Sequence, residues 1–328
     1  SWYEGAFGDT TGMGKSIYNE DPLYDIKSIT FQDTGTMVIP EYMPQPSFST
    51  SGDKLYNVWL ETVGSDTYLL FSRLNSTGSA FSQPLVVTNN NNSISDPQIG
   101  ILPSGSAIIT WSQNRYNSLD VPLNATEEDM LAAQDIHFAI YDITSNSIIF
   151  TSFMDDDMSA MQSGRAEGRA RVTVGNNNEA IITWVVDNPA SLSSEIWYAH
   201  LTESPTSYYV SAPDILSDIP GINENVQVVY TDDDQALCVW TNNPDGDEET
   251  YDSEIAFAEW DGFIWSPTYF LSQNDGTTKL NEMDIASNDG YIAFTWTSSH
   301  FNNNNEFDNR LDMLIYDVLT GEWDMNNS

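Results

Sequence analysis

Five short apolar runs along the chain end in tryptophan. They are KLYNVW at Trp59, AIITW at Trp111, AIITW again at Trp184, QALCVW at Trp240 and YIAFTW at Trp296. The intervals are 52, 73, 56 and 56 residues. Before each run stands a turn-forming cluster: SGD, PSGS, GNNN, TDDD and SNDG. Before each cluster stands another short run: PSFS, PQIG, RVTV, VQVV and MDIA. Gly, Asn and Asp supply the backbone conformations that tight hairpins need, so the pattern predicts a β-hairpin at the start of each unit. In AIITW, Ala107, Ile109 and Trp111 point to one face and Ile108 to the other, so both faces are apolar. A half-solvated strand would alternate with polar residues; a strand sandwiched between two sheets would not. The pentapeptide recurs because the same buried slot recurs.

Each tryptophan is followed by a polar loop of variable length and then a third predicted strand: TYLLFSRL, DIHFAIYD, EIWYAHLT, EIAFAEWD and RLDMLIYD. A fourth follows a second turn, as in FSQPLVVT and FIWSPTYFLS. Four antiparallel strands at a period near 55 residues read as propeller blades. Trp2 stands 57 residues before Trp59, and YDIKSITFQDTGTMVIPEY (24–42) reads as the last two strands of a further unit. The expectation is an all-β chain forming one β-propeller domain of about six four-stranded blades. The boundaries fall near 1–43, 44–92, 93–160, 161–220, 221–277 and 278–328, and the first blade is incomplete at the N-terminus. Trp2, Trp59, Trp111, Trp184, Trp240 and Trp296 are the expected structural residues between blades.

The segment DSEIAFAEWDGFIWSPTYFLS (252–272) carries the W-DG-x-x-W-S-x-P form of these units. It resembles the repeats of sialidase-like and related secreted β-propellers of bacterial and archaeal surface proteins. The resemblance is one of architecture and extends over nearly the whole chain. In sialidases the pattern S-x-D-x-G-x-x-W lies in the turn between strands three and four. Here the nearest text, SNDGYIAF, lies between predicted strands one and two.

Charge narrows the partners. Among 328 residues, 49 Asp+Glu against 10 Lys+Arg give a net charge of −39, which repels nucleic acid and anionic membrane surfaces. Aromatic residues make up 12 %, enough for a packed core rather than a disordered acidic tail. The lone Cys238, in ALCVW, excludes an intrachain disulfide and reads as a core residue. No apolar stretch reaches membrane-spanning length. The chain opens on Ser1 with no visible signal peptide, as expected of a processed or truncated start.

Candidate chemistry is sparse. GDTTGMGKS (8–16) nears the P-loop pattern, but Asp9 stands where glycine is needed and Pro22 argues against the helix that should follow. Arg165, Arg169 and Arg171 crowd one stretch beside Glu167 and read as local partners of carboxylates. His137, His200 and His300 share no metal spacing, and the 49 acids nominate no catalytic pair. Calcium is the candidate cation, and solvated acidic turns are the alternative reading of the same residues. Asn243, Asp245, Asp247, Glu249 and Asp252 bring hard oxygens together around Gly246. MDDDMS (154–159) and TDDDQ (231–235) are weaker candidates. Sequons at Asn75, Asn91, Asn124 and Asn326 permit glycosylation in a secreted setting.

The loops after the tryptophans, 113–134, 186–194, 242–253 and 298–309, should gather on one face as recognition loops do. Their Tyr116, Tyr251 and Phe301 are candidate ligand contacts. The functional expectation is a non-enzymatic extracellular or cell-surface module that binds glycan or protein partners within a larger surface assembly. The alternative is a carbohydrate-active enzyme, glycosidase or sialidase-like, using acids near the propeller channel. A ring of convergent acids with one perturbed pKa would favour it.

Overall fold

The structure is a computed structural model. It describes residues 14–15, 29–30, 47–51, 54–63, 66–74, 80–90, 92–117, 133–154, 166–188, 193–204, 206–231, 234–246, 252–271, 278–288, 290–301 and 307–324. Among them there is no helix. A short pair, β1 (Gly14–Lys15) and β2 (Ile29–Thr30), precedes five larger antiparallel sheets. Gly14 and Lys15, from the P-loop-like stretch, lie in β1; the rest of that stretch lies outside the described residues.

Each large sheet is a meander in chain order. Sheet I holds β3 (Ser47–Ser51), β4 (Lys54–Val63), β5 (Asp66–Arg73) and β6 (Leu85–Asn90). Sheet II holds β7 (Asn92–Ile101), β8 (Ala107–Asn117), β9 (Gln134–Asp142) and β10 (Ser147–Phe153). Sheet III holds β11 (Ala166–Val174), β12 (Glu179–Asn188), β13 (Ser193–Ser204) and a divided outer strand, β14 (Ser207–Val210) and β15 (Asp214–Ser217). Sheet IV holds β16 (Ile222–Tyr230), β17 (Ala236–Asn243), β18 (Glu254–Trp260) and β19 (Tyr269–Phe270). Sheet V holds β20 (Thr278–Asn288), β21 (Tyr291–Phe301), β22 (Phe307–Asp317) and β23 (Glu322–Asp324).

The two-faced strands do what their patterning dictates. Ala107, Ile109 and Trp111 join Tyr56, Val58 and Phe71 between sheets I and II. Ile108, the odd residue of the same strand, joins Ala180, Ile182 and Trp184 between sheets II and III. Ile181 and Val185 look the other way, toward Val226, Cys238 and Trp240 of sheet IV. Leu237 and Val239 repeat the arrangement against Ile292 and Phe294 of sheet V. Cys238 is fully buried, and burial pushes its thiol pKa up, as for a packing residue. Trp111, Trp184 and Trp240 are fully buried, Trp296 nearly so, and Trp59 half-buried; Trp2 lies outside the described residues.

The first strands β3, β7, β11, β16 and β20 adjoin one another in succession, which puts them on the inner side of the sheet stack. Hydrogen bonds join neighbouring sheets about one repeat apart. Asn225 Nδ2 donates to the Asn281 carbonyl at 3.2 Å, Gln227 Nε2 to the Met283 carbonyl at 3.0 Å, and Tyr316 OH to Glu259 Oε1 at 2.5 Å.

The turns between third and fourth strands hold a recurring aspartate. Asp142 accepts N–H bonds from Thr144 and Ser145, Asp261 from Phe263 and Ile264, and Asp317 from Leu319 and Thr320. These N–H bonds favour the ionised carboxylate; Thr144 does most to lower the pKa of Asp142, and Ile264 that of Asp261.

Candidate functional site

The inner strands break register at matching places. Bulges fall between Ser95 and Gln98 in β7, Gly168 and Arg171 in β11, Glu224 and Gln227 in β16, and Leu280 and Met283 in β20. In three of them a non-glycine residue adopts positive φ: Asp96 at 50°, Arg169 at 58° and Asn225 at 52°. Such backbone costs about 1–3 kcal/mol and persists where surrounding structure over-determines it, most often at functional sites. A bulge also kinks its strand and re-aims a side chain. Each of the three residues stands 15 positions before its tryptophan, so the bulges repeat in register with the fold.

Arg169 shows where that aim leads. Its Nη2 donates to Asp187 Oδ2 at 2.5 Å, at the far end of β12, and its Nη1 donates to Glu224 Oε1 on β16 of the next sheet. Two carboxylates from different sheets thus flank one guanidinium. Burial opposes the charge on Arg169, but Asp187 and Glu224 outweigh it and hold its pKa above the ordinary value. Burial raises the pKa of Asp187; Arg169 pulls it back and Glu224 adds to the rise. Arg171, two residues on, has its pKa lowered by burial, against the pull of Asp96 in sheet II and Asp284 in sheet V. Charged groups of four sheets therefore act on one another across the inner space.

The walls are polar and ordered. Arg115 forks onto Asp135, with Nε to Oδ2 and Nη2 to Oδ1 both at 2.5 Å. Asn223, fully buried beside Glu224, donates to the Ser194 carbonyl at 2.6 Å and accepts from Trp240 Nε1 at 3.0 Å and Asn242 Nδ2 at 3.1 Å. Its backbone N–H also bonds Ser194 Oγ. The bonds fix the start of β16 and with it the backbone of Glu224. A cavity of about 60 Å³, walled by Glu224, Thr241, Asn243 and Lys279, lies beside Glu224.

No known family pattern matches this sequence, and no curated protein does. Solved structures do match in fold. An ulvan lyase of polysaccharide lyase family PL25 gives a TM-score of 0.53 at 9 % identity, covering 85 % of this chain and 66 % of that one. A NanB sialidase from Streptococcus pneumoniae gives 0.48 at 12 %, covering 84 % and 61 %. An exo-β-1,3-galactanase from Clostridium thermocellum gives 0.47 at 10 %, covering 87 % and 61 %. The chain spans about three fifths of the sialidase and the galactanase. These neighbours are propeller-type proteins, and the sialidase-like resemblance holds at the level of architecture. Against the expectation of a non-enzymatic binding module, the neighbour with a TM-score above 0.5 is a polysaccharide lyase; at 9 % identity the likeness itself is one of fold. Asp187 and Glu224 are 37 residues apart in the sequence, and only the stacking of sheets III and IV brings them onto Arg169.

The other sequence candidates fall only partly within the described residues. Asn243 is buried at the end of β17 and its carbonyl accepts from Gly246, while Asp245 is exposed on the turn. Asp252 pairs with Thr278 in an isolated bridge; Asp247, Glu249 and Tyr251 lie outside the described residues. No cluster of three or more acids, histidines or cysteines suited to a metal is found among the described residues. Tyr116 and Phe301 lie in β8 and β21, with side chains outside the described set, as are Asn75, Asn91, Asn124 and Asn326. His137 stacks on Trp111 with centroids 5.7 Å apart, and His200 packs on Trp260 at 4.3 Å. Burial lowers the pKa of both.

Sequence reasoning grouped Arg165, Arg169 and Arg171 as local partners of nearby carboxylates. Arg169 instead reaches a neighbouring strand and a neighbouring sheet. A signal was present: Asp96, Arg169 and Asn225 recur at the same 73- and 56-residue intervals as Trp111, Trp184 and Trp240.

Proposed function

We propose that this chain is a glycan-active enzyme that cleaves a glycosidic linkage at the inner-strand bulges. The reading takes the five sheets as blades of a six-bladed propeller. One observation carries it: two carboxylates on adjacent sheets converge on Arg169, and their environments differ, with the pKa of Asp187 raised. Glycosidic cleavage needs one carboxyl group that keeps its proton and another that is ionised. Asp187 takes the role of proton donor to the leaving oxygen and Glu224 that of base or nucleophile. Arg169 holds both in place and offers a cation to substrate oxygens. Arg171 adds a second guanidinium, which suits an anionic glycan. The setting we infer is extracellular, where such polymers are met.

The test is activity on a panel of neutral and acidic polysaccharides, read as new reducing ends and as ultraviolet absorbance from unsaturated products. The absorbance distinguishes a lyase from a hydrolase. Asp187→Asn and Glu224→Gln should each lower the rate by about 100-fold or more, as removal of a general acid or base does. The wild-type rate should fall as pH rises through the raised pKa of Asp187, because the donor then loses its proton. Full activity in both variants, or no cleavage of any polymer, overturns the proposal.

A further inference from the structure

The hairpin turns of sheets III and IV meet at the opposite ends of these strands. β11 ends at Val174 and β12 opens at Glu179; β16 ends at Tyr230 and β17 opens at Ala236. Asn177 Nδ2 donates to Asp234 Oδ1 at 2.5 Å and ties one turn to the other. The Tyr230 ring lies against Gly175, where an added Cβ would stand 2.9 Å from its Cε1. Only a glycine lets the ring approach that closely.

Tyr230 is 8 % exposed, and its hydroxyl has no hydrogen-bond partner among the described residues. A buried hydroxyl left in that state is costly and calls for an occupant. The groups that act on it are Glu179 and Asp234, which raise its pKa further beyond the effect of burial. The pKa of Glu179 is itself raised, by burial first and by Asp234 second. Gly175, against which the Tyr230 ring lies, donates its N–H to the Glu179 carbonyl at 2.9 Å, and Asn177 of the same turn holds Asp234, so two carboxylates from adjacent sheets and an unpartnered phenol border one turn.

We propose that Glu179, Asp234 and Tyr230 form a divalent-cation site of the calcium class between sheets III and IV. All three supply hard oxygens, and calcium accepts mixed sets of carboxylates, neutral oxygens and water in loose geometry. With only two carboxylates the affinity should lie in the weak range of extracellular calcium modules. The ion would relieve the repulsion between the acids and give the phenol oxygen, directly or through a bound water, the partner it lacks. The site lies at the other end of the strands from Arg169 and does not depend on the catalytic reading.

The experiment titrates the whole chain with calcium, and with terbium as a luminescent probe, at fixed ionic strength. Calcium should raise the melting temperature and displace terbium. Glu179→Gln/Asp234→Asn should weaken calcium binding by about tenfold or more. Asp234→Asn alone, at an exposed position able to keep its bond to Asn177, should weaken it without unfolding the chain. Tyr230→Phe, which removes one of the three oxygens, should weaken binding less than the double substitution and lose part of the terbium emission. Asp245→Asn/Asp252→Asn should leave the response intact. No calcium response in the wild type overturns the proposal. So does a response that survives the first double substitution and disappears with Asp245→Asn/Asp252→Asn, which would place the ion on the loop after Trp240.

Discussion

Trp184 and Trp240 fill equivalent slots with different polar surroundings. Trp240 Nε1 donates to Asn223, inside a buried network that also holds Ser194 and Asn242. Trp184 Nε1 has no hydrogen-bond partner among the described residues. Replacement by phenylalanine removes similar apolar area from both slots but breaks a buried bond in only one. Trp240→Phe should therefore cost about 1–2 kcal/mol more than Trp184→Phe. Urea denaturation of both variants measures the difference. Equal losses would show that the N–H of Trp240 contributes nothing to stability.

Sheets I to V differ from a loose stack because their first strands touch. The contact between β7 and β11 depends on Gly100, where an added Cβ would lie 2.6 Å from Val174 Cγ2. Gly168, on the bulge of β11, has room for one: the nearest atoms, Gln134 Nε2 and Ser112 Oγ, stand at 3.8 and 3.9 Å. Gly100→Ala should destabilise by about 1–3 kcal/mol through overpacking. Gly168→Ala should be nearly neutral. A Gly100→Ala variant as stable as wild type would mean that sheets II and III are not wedged together at the inner strands. The same elements explain the site, since the bulge in β11 aims Arg169 at Asp187 and Glu224.

For the whole molecule the net charge of −39 is a load on the folded state. Among the described cations Arg115 and Arg169 are paired with carboxylates, while Arg310 is exposed. The acidic exterior is left to repel itself. Raising ionic strength from about 0.01 M to 1 M shortens the screening length from about 30 Å to about 3 Å. The melting temperature should rise over that range in sodium chloride, because compact charge is relieved more than extended charge. A melting temperature that falls with salt would show that the inner ion pairs outweigh the outer repulsion.

The sequence by itself determined the strands and their order. Apolar residues on both faces of each second strand require a sheet on either side, and Gly, Asn and Asp at regular places require tight turns. The five hairpins and five third strands follow from those two constraints alone. The count of six and the closing of a ring rest on residues 1–46, most of which lie outside the described set. Only the tertiary structure decided the site. Arg169, Asp187 and Glu224 carry no local motif, and their meeting depends on a bulge that turns one side chain and on the stacking of two sheets. The raised pKa of Asp187 likewise depends on how much water those sheets exclude, which no spacing of residues records. Glu179, Asp234 and Tyr230 obey the same rule: each sits beside a turn the sequence predicts, and only the packing of sheets III and IV ties those turns together.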